Sequence, residues 1–183
     1  MKRIIFLLSF ICAYVISFAQ EMPSVAGVKF GWSYSQCKQI LDNRFNGGKI
    51  SNQYVPNELY YNDVYFANEY FSYVRFRFQV DSSNNTYLSY ISFFASFDIN
   101  DTKNVKNKRD RLFNFYKEKY EFRWSDVDKD GWKYYVLGYD PFKIEDGFVV
   151  IAASKMDTQA GVPKLWTELH YGPINFIDPQ DEI

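Results

Sequence analysis

The spacing of apolar residues changes period along the chain, and each change marks an expected element. From Cys37 to Phe45 apolar residues recur at three- and four-residue steps, which is the spacing of one helical stripe. Ser33 and Gln36 stand before this stripe with the spacing of a capping box, and a Gly-Gly pair follows it. The pattern therefore predicts a helix from Ser33 to about Phe45.

Beyond Glu58 the period changes to two, which is typical of β-strands with one buried face. Tyr-, Val- and Phe-rich runs at 59–66, 71–80 and 87–97 are separated by short polar segments, so they predict three successive antiparallel strands. In the second run, one face is apolar and the other carries Tyr73, Arg75 and Arg77.

A second helix and a second set of strands are expected in the other half of the chain. Asp101 offers an N-cap, and a stripe of apolar and aromatic residues runs from Val105 to Tyr120. Strand-like runs bounded by turn residues then follow at 121–125, 132–137, 148–156 and 164–171.

The predicted order is helix, three strands, helix, three or four strands. Runs of strands separated by single helices favour the α+β class, with an antiparallel sheet and both helices on one side. We expect one domain over residues 20–172, with an α-β-β-β repeat given twice, at 27–98 and 99–172. The polar segment 173–183 is expected to be a flexible tail.

The first nineteen residues have the pattern of a secretory signal. Lys2 and Arg3 precede an uncharged apolar run at 4–18, and Ser17 and Ala19 give the small-x-small pattern of a cleavage site. A retained membrane anchor is the alternative, but this run is shorter than the roughly 20 residues that a bilayer span needs. We therefore expect a periplasmic or secreted protein with no membrane span after cleavage.

Charge and cysteine content narrow the possible functions. Cleavage would remove two of the 21 basic residues and none of the 22 acidic ones, leaving a net charge of −3. A protein that binds nucleic acid shows a basic excess instead. The local basic excess has the spacing of a solvated helix face and consists of Lys103, Lys106, Lys108, Arg109 and Arg111. Cys37 would be the only cysteine left, and its place on the apolar stripe favours a buried thiol over a reactive one.

The segment GVKFGWSYSQCKQIL at 27–41 resembles the start of small secreted bacterial proteins of unknown function. The helix-plus-three-strands order, given twice, is similar to β-lactamase inhibitor protein and to small outer-membrane assembly lipoproteins of the same fold. This chain has neither the paired disulfides of the inhibitor nor the lipobox of the lipoproteins. The resemblance implies a binding scaffold rather than an enzyme.

Asp126, Asp128, Asp130 and Gly131 match the first half of a calcium-binding loop, in which alternate carboxylates converge on the ion. The twelfth position is Leu137 instead of a bidentate glutamate. A β-hairpin that turns at Asp130-Gly131 is the other interpretation, and a calcium-stabilised adhesion module is the function that would follow from the first.

His170 is the only histidine, and strand alternation puts it on one face with Glu168 and Trp166. A histidine-carboxylate pair could act as a general base, so a hydrolase of envelope polymers is one alternative function. No serine lies in a nucleophile elbow, and no second histidine completes a zinc site. The sequence therefore predicts no catalytic residues, no metal and no cofactor.

Aromatic residues make up 21% of the chain, and sixteen of them are tyrosines. Rings on a half-exposed sheet face give a flat apolar area while their hydroxyl groups stay in water, which suits a peptide or a sugar. Aromatic cross-strand pairs that only stabilise the sheet are the alternative. We expect a binding module for an envelope or extracellular protein, peptide or glycan. The expected ligand-binding residues are Tyr61, Tyr73, Arg75, Arg77, Tyr90, Trp166 and His170.

Overall fold

The computed structural model describes residues 22–45, 49–50, 57–139, 147–158 and 160–176. Ten strands and two helices lie in this part of the chain. In chain order they are β1 (Ser24–Val25), β2 (Val28–Lys29), α1 (Tyr34–Arg44), β3 (Lys49–Ile50), β4 (Glu58–Phe66), β5 (Glu69–Val80), β6 (Thr86–Phe97), α2 (Thr102–Tyr116), β7 (Phe122–Val127), β8 (Lys133–Leu137), β9 (Val149–Asp157) and β10 (Pro163–Tyr171).

The sheet confirms the α+β class. Eight strands form one antiparallel sheet in the order β3-β4-β5-β6-β10-β9-β8-β7, and β1 pairs with β2 in a separate hairpin. The two halves of this sheet have the same arrangement when each is followed inward from its own edge. Each half has a helix, a short edge strand and a three-stranded meander, and the halves join where β6 pairs with β10.

Both helices lie on one face of this sheet. Phe45, at the end of α1, meets Phe76 of β5 with ring centroids 6.4 Å apart. Tyr116 of α2 hydrogen-bonds through its hydroxyl to that of Tyr171 in β10. Phe76 pairs with Ile91, and Ile91 pairs with Tyr171, so these sheet residues share a face because antiparallel partners point to the same side. The main hydrophobic core lies between this face and the helices.

The start of α1 has the predicted capping box. The Ser33 hydroxyl accepts a hydrogen bond from the Gln36 backbone N–H, and the Gln36 side chain accepts one from the Ser33 N–H at 2.9 Å. Cys37 and Leu41 are fully buried beneath it. The Gly-Gly stop lies outside the described residues, and the helix ends at Arg44.

Helix α2 is shorter than predicted, and two of its basic side chains are buried. It ends at Tyr116, and Tyr120 returns to stack on Tyr116 only after a turn. Lys108 and Arg109 are buried, which corrects the expectation that they belong to a solvated basic face. Lys108 is buried because its ammonium group pairs with Glu69 of β5 at 2.9 Å.

The chain stays packed beyond β10. Ile174 is fully buried, and its N–H donates to the Ser89 carbonyl at 2.8 Å. The Phe176 N–H donates to the Gln79 side chain at 2.9 Å. The predicted domain boundary at residue 172 is therefore at least four residues too early. The rest of the predicted tail, 177–183, and the predicted signal segment lie outside the described residues.

Candidate functional site

The sheet face opposite the helices gathers most of the predicted ligand-binding residues. No described helix packs on it, and we call it the helix-free face. Its centre is formed by β5, β6 and β10, and the register of these strands fixes which side chains meet. It carries Tyr73, Arg75, Arg77, Tyr90, Phe94, Trp166, Glu168 and His170. Six of the seven predicted residues are therefore neighbours.

Tyr61 is the exception and lies in the core. It pairs with Val74, which points toward the helices, and Tyr61 is 1% exposed. Its hydroxyl donates to the Asp42 carboxylate of α1 at 2.9 Å. Burial is the main cause that raises the pKa of Tyr61 above its ordinary value, and the bond to Asp42 adds to it. The prediction that Tyr61 belongs to the binding face is wrong.

A polar network surrounds His170. Its Nε2 lies 2.9 Å from Glu168 Oε2, and its Nδ1 lies 2.9 Å from the Tyr90 hydroxyl and 3.0 Å from Ser92 Oγ. The imidazole ring is stacked parallel to Tyr90, with centroids 5.6 Å apart. Phe94 lies nearly perpendicular to the imidazole, with ring centroids 5.7 Å apart. Both ring nitrogens therefore have partners within the protein.

Glu168 is held in this network as a carboxylate. Its second oxygen accepts a hydrogen bond from the Ser154 hydroxyl of β9. Burial alone would raise the pKa of Glu168, but the bond and charge of His170, with Ser154 and Arg75, bring the pKa below its ordinary value. The ionised form is thus the one that the surrounding side chains favour.

Two arginines lie over aromatic rings of β6. The Arg75 guanidinium is 5.6 Å from the Phe94 ring centroid, and that of Arg77 is 5.8 Å from the Tyr90 centroid. Arg77 also donates from Nε to Glu58 of β4 at 2.8 Å. A guanidinium that stacks on a ring has its plane fixed while its N–H edge stays directed away from the ring.

The side chains of this face form two layers. Phe94 and Trp166 are almost completely buried although no described helix covers them, since neighbouring rings surround them. Arg77 is much more exposed, at 48% of its side chain, whereas its partner Glu58 is only 5% exposed. The acids thus lie low in the face, and the outer layer is made of guanidinium and tyrosine groups.

The sequence prediction missed several members of the network. Phe94, Ser92 and Glu58 hold the predicted residues in place, but none of them was expected to take part. Alternation along 87–97 puts Ser92 and Phe94 on the same face as Tyr90. What it lacked was the pairing of β6 with β10, which joins residues about 78 positions apart.

The predicted histidine-carboxylate pair is formed, but the serine beside it is closed to a substrate in the described structure. Ser92 contacts His170 and would be the nucleophile in a triad, yet it is completely buried. A nucleophile must be able to reach the carbonyl carbon of a substrate, and its general base must contact the nucleophile. His170 contacts Ser92, but Ser92 has no exposed surface from which it could reach a substrate. In the described residues, this cluster is arranged as a packed network.

The three aspartates at 126, 128 and 130 lie on a β-hairpin between β7 and β8. The Asp128 carboxylate accepts the N–H groups of Asp130 and Trp132 at 2.9 and 2.8 Å, so it stabilises its own turn. The hairpin interpretation is confirmed. Within the described residues, no group of three or more His, Cys, Asp or Glu side chains could hold a metal ion.

Two further findings bear on the expected functions. Cys37 is fully buried, and burial raises the pKa of its thiol to about 12. A cleft of about 340 Å³ lies at the sheet edge beside the end of α1, lined by residues that include Arg44, Asn62 and Tyr65. None of the predicted binding residues is among the described residues that line this cleft.

No helix in the described residues is long and apolar enough to cross a membrane.

No protein-family model, no curated protein and no solved structure matches this chain. The resemblance to β-lactamase inhibitor protein therefore stays a prediction.

Proposed function

We propose that this protein is an exported, non-enzymatic binding module that holds a protein, peptide or glycan ligand on its helix-free face. The observation that carries the proposal is the outer layer of this face. Tyr60, Tyr73, Tyr90, Arg75 and Arg77 form a continuous set of partly exposed rings and guanidinium groups above a closed lower layer. Tyrosine, tryptophan and arginine are the residues that contribute most binding energy at protein interfaces.

The rigidity of the face supports binding. Stacked pairs such as Tyr73 with Phe94, at 4.6 Å, leave each ring few alternative positions. Side chains that are already ordered lose little conformational entropy when a ligand binds. The lower layer of hydrogen bonds around His170 therefore acts as a support for the upper layer.

The size of the face also suits a macromolecular ligand. The six central strands lie about 4.8 Å apart, and each contributes about nine residues with a rise of about 3.3 Å per residue. The face therefore measures roughly 29 Å by 30 Å, an area of roughly 850 Å². A standard protein interface buries about 800 Å² on each partner. The face could therefore take a folded domain or an extended segment without any contribution from the helix side.

Export is part of the proposal. The signal-like pattern of the first nineteen residues and the single remaining cysteine both suit a protein that works in the periplasm or outside the cell. The twofold α-β-β-β plan supports the proposed likeness to the β-lactamase inhibitor scaffold.

A blocking experiment tests this function. Residues 20–183 would be produced with Ser96→Cys, which puts a thiol on the helix-free face, or with Asn114→Cys, on the exposed side of α2. Cys37 is buried and should not react. Each thiol would be coupled to a maleimide-polyethylene glycol chain, and binding to random-peptide and envelope-glycan arrays would be compared.

We expect coupling at position 96 to abolish binding and coupling at position 114 to leave it unchanged. Arrays that give no ligand, or ligands that bind equally well to both coupled proteins, would overturn the proposal.

A further inference from the structure

Arg77 presents free hydrogen-bond donors to solvent. Its Nε is engaged by Glu58, and about half of the side chain is exposed. Within the described residues, its two terminal nitrogens make no hydrogen bond. The guanidinium lies 5.8 Å from the Tyr90 ring centroid and is held at Nε by Glu58, so its remaining donors are available to a ligand from a restrained position.

Arg75 adds a positive charge that has no ion pair. No described carboxylate lies within 4.0 Å of its guanidinium, and its Nε is buried without a hydrogen-bond partner among the described residues. The Tyr60 hydroxyl lies within hydrogen-bonding reach of Arg75, and the Glu168 carboxylate interacts with Arg75 electrostatically, but both groups also bind other side chains. A charge that is partly removed from water and lacks a close counterion favours a nearby anion.

The two acids at the centre of this face do not cancel that charge at the surface. Glu58 is bound by Tyr60 and Arg77, and Glu168 is bound by His170 and Ser154. Their side chains are 5% and 11% exposed. The whole chain has a net charge of −1, yet the groups that a ligand would meet at the centre of the helix-free face are positive.

We propose that the ligand is an acidic segment of another protein, whose carboxylates bind Arg75 and Arg77 while its apolar side chains lie on Tyr73 and Tyr90. This inference rests on the proposed function. Carboxylates match the planar donors of a stacked guanidinium, and tyrosine rings beside them offer area that a free small acid would leave empty. The dimensions of the face favour a polypeptide over a single small anion.

A peptide selection tests the inference. Random 12-residue peptides displayed on phage would be selected on residues 20–183, and the binders would be measured against three variants. Arg77→Gln and Arg75→Gln each remove one positive charge from the face. Lys106→Gln removes one from the exposed side of α2 and is the matched control.

We expect the selected peptides to be at least twofold richer in Asp and Glu than the library. Arg77→Gln should weaken their binding about 10-fold, which is the effect of losing one charged hydrogen-bonded pair, and Lys106→Gln should have no effect. Binding should also weaken as salt rises. Melting curves would check the fold, and Arg77→Gln decides the result if Arg75→Gln does not fold.

The two proposals fail differently. Binders that are blocked by coupling at position 96 but show no acidic enrichment, or that keep full affinity for Arg77→Gln, would overturn the acidic-ligand inference and leave the binding face standing. A selection that yields no binder sensitive to coupling at position 96 would overturn both.

Discussion

The contact between His170 and Glu168 should make a measurable contribution to stability, and a double-mutant cycle can isolate it. His170→Ala removes an imidazole that is mostly buried, with hydrogen-bond contacts to Glu168, Tyr90 and Ser92 and a stacked ring beside it. Glu168 would keep Ser154 as its remaining hydrogen-bond partner among the described residues.

The size of the effect follows from these contacts. Leaving a buried polar group without its partner costs about 1–3 kcal/mol, and losing an aromatic contact costs about 0.5–1.5 kcal/mol. We expect His170→Ala to lower the free energy of unfolding by about 2–4 kcal/mol and Glu168→Gln by about 1–2 kcal/mol. Because the two side chains touch, the double variant should lose less than the sum, with a coupling of about 1–2 kcal/mol.

Urea unfolding followed by tryptophan fluorescence would measure all four proteins at pH 7, and then between pH 3 and 7. The folded-state pKa of Glu168 lies below its ordinary value. Its ionised form therefore stabilises the fold fully above the ordinary carboxyl pKa of about 4.3, and this stabilisation is lost as the pH falls through the folded-state pKa. Glu168→Gln should remove part of that acid sensitivity.

Glu118→Gln changes an exposed acid and is the control, since it should leave both the stability and its pH dependence nearly unchanged. A coupling below about 0.5 kcal/mol, or an acid sensitivity in Glu168→Gln equal to that of the wild type, would refute the view that this pair supports the face.

Two further predictions concern the core. Phe93 is fully buried and stacks on Phe66, with ring centroids 4.4 Å apart. Phe93→Ala should therefore lower the free energy of unfolding by about 3–5 kcal/mol in the same urea assay. A loss below about 1 kcal/mol would contradict that packing. The buried thiol of Cys37, with its pKa raised to about 12, should not react with a thiol reagent at pH 8 until urea unfolds the protein. Rapid reaction of the native protein would show that this side of α1 is not packed against the core.

Elements with strong local signals were predictable from the sequence. The α1 capping box and the alternation in β5 and β6 depend on neighbours only a few residues apart, and both are as expected. Lys108 was misplaced for the opposite reason. Its spacing from Val105 and Leu112 puts it on the buried stripe of α2, but its charge argued for solvent. Its partner Glu69 lies 39 residues earlier in the chain, and that distance hides the pair from any local pattern.

Tyr61 shows how one irregular residue defeats the alternation rule. Asp63 has a left-handed backbone, with φ of 52°, and it interrupts the alternation of β4. Counting back by twos from Val64 and Phe66, which face the core, would put Tyr61 on the opposite side. The interruption reverses this assignment, so Tyr61 faces the core with them. An aspartate in a strand does not by itself reveal such a break.

The arrangement at the centre of the helix-free face depends on unequal contributions from the two halves. Where β6 meets β10, Trp166 pairs with Ser96 and His170 pairs with Ser92. Paired side chains on one face have Cβ atoms only about 5 Å apart, so a ring from β10 can lie across the seam because β6 offers a small side chain there. The two strands belong to different halves of the domain, and each half alone would lack one member of every pair. The His170 network, which lies across this seam, therefore forms only when both halves are folded together.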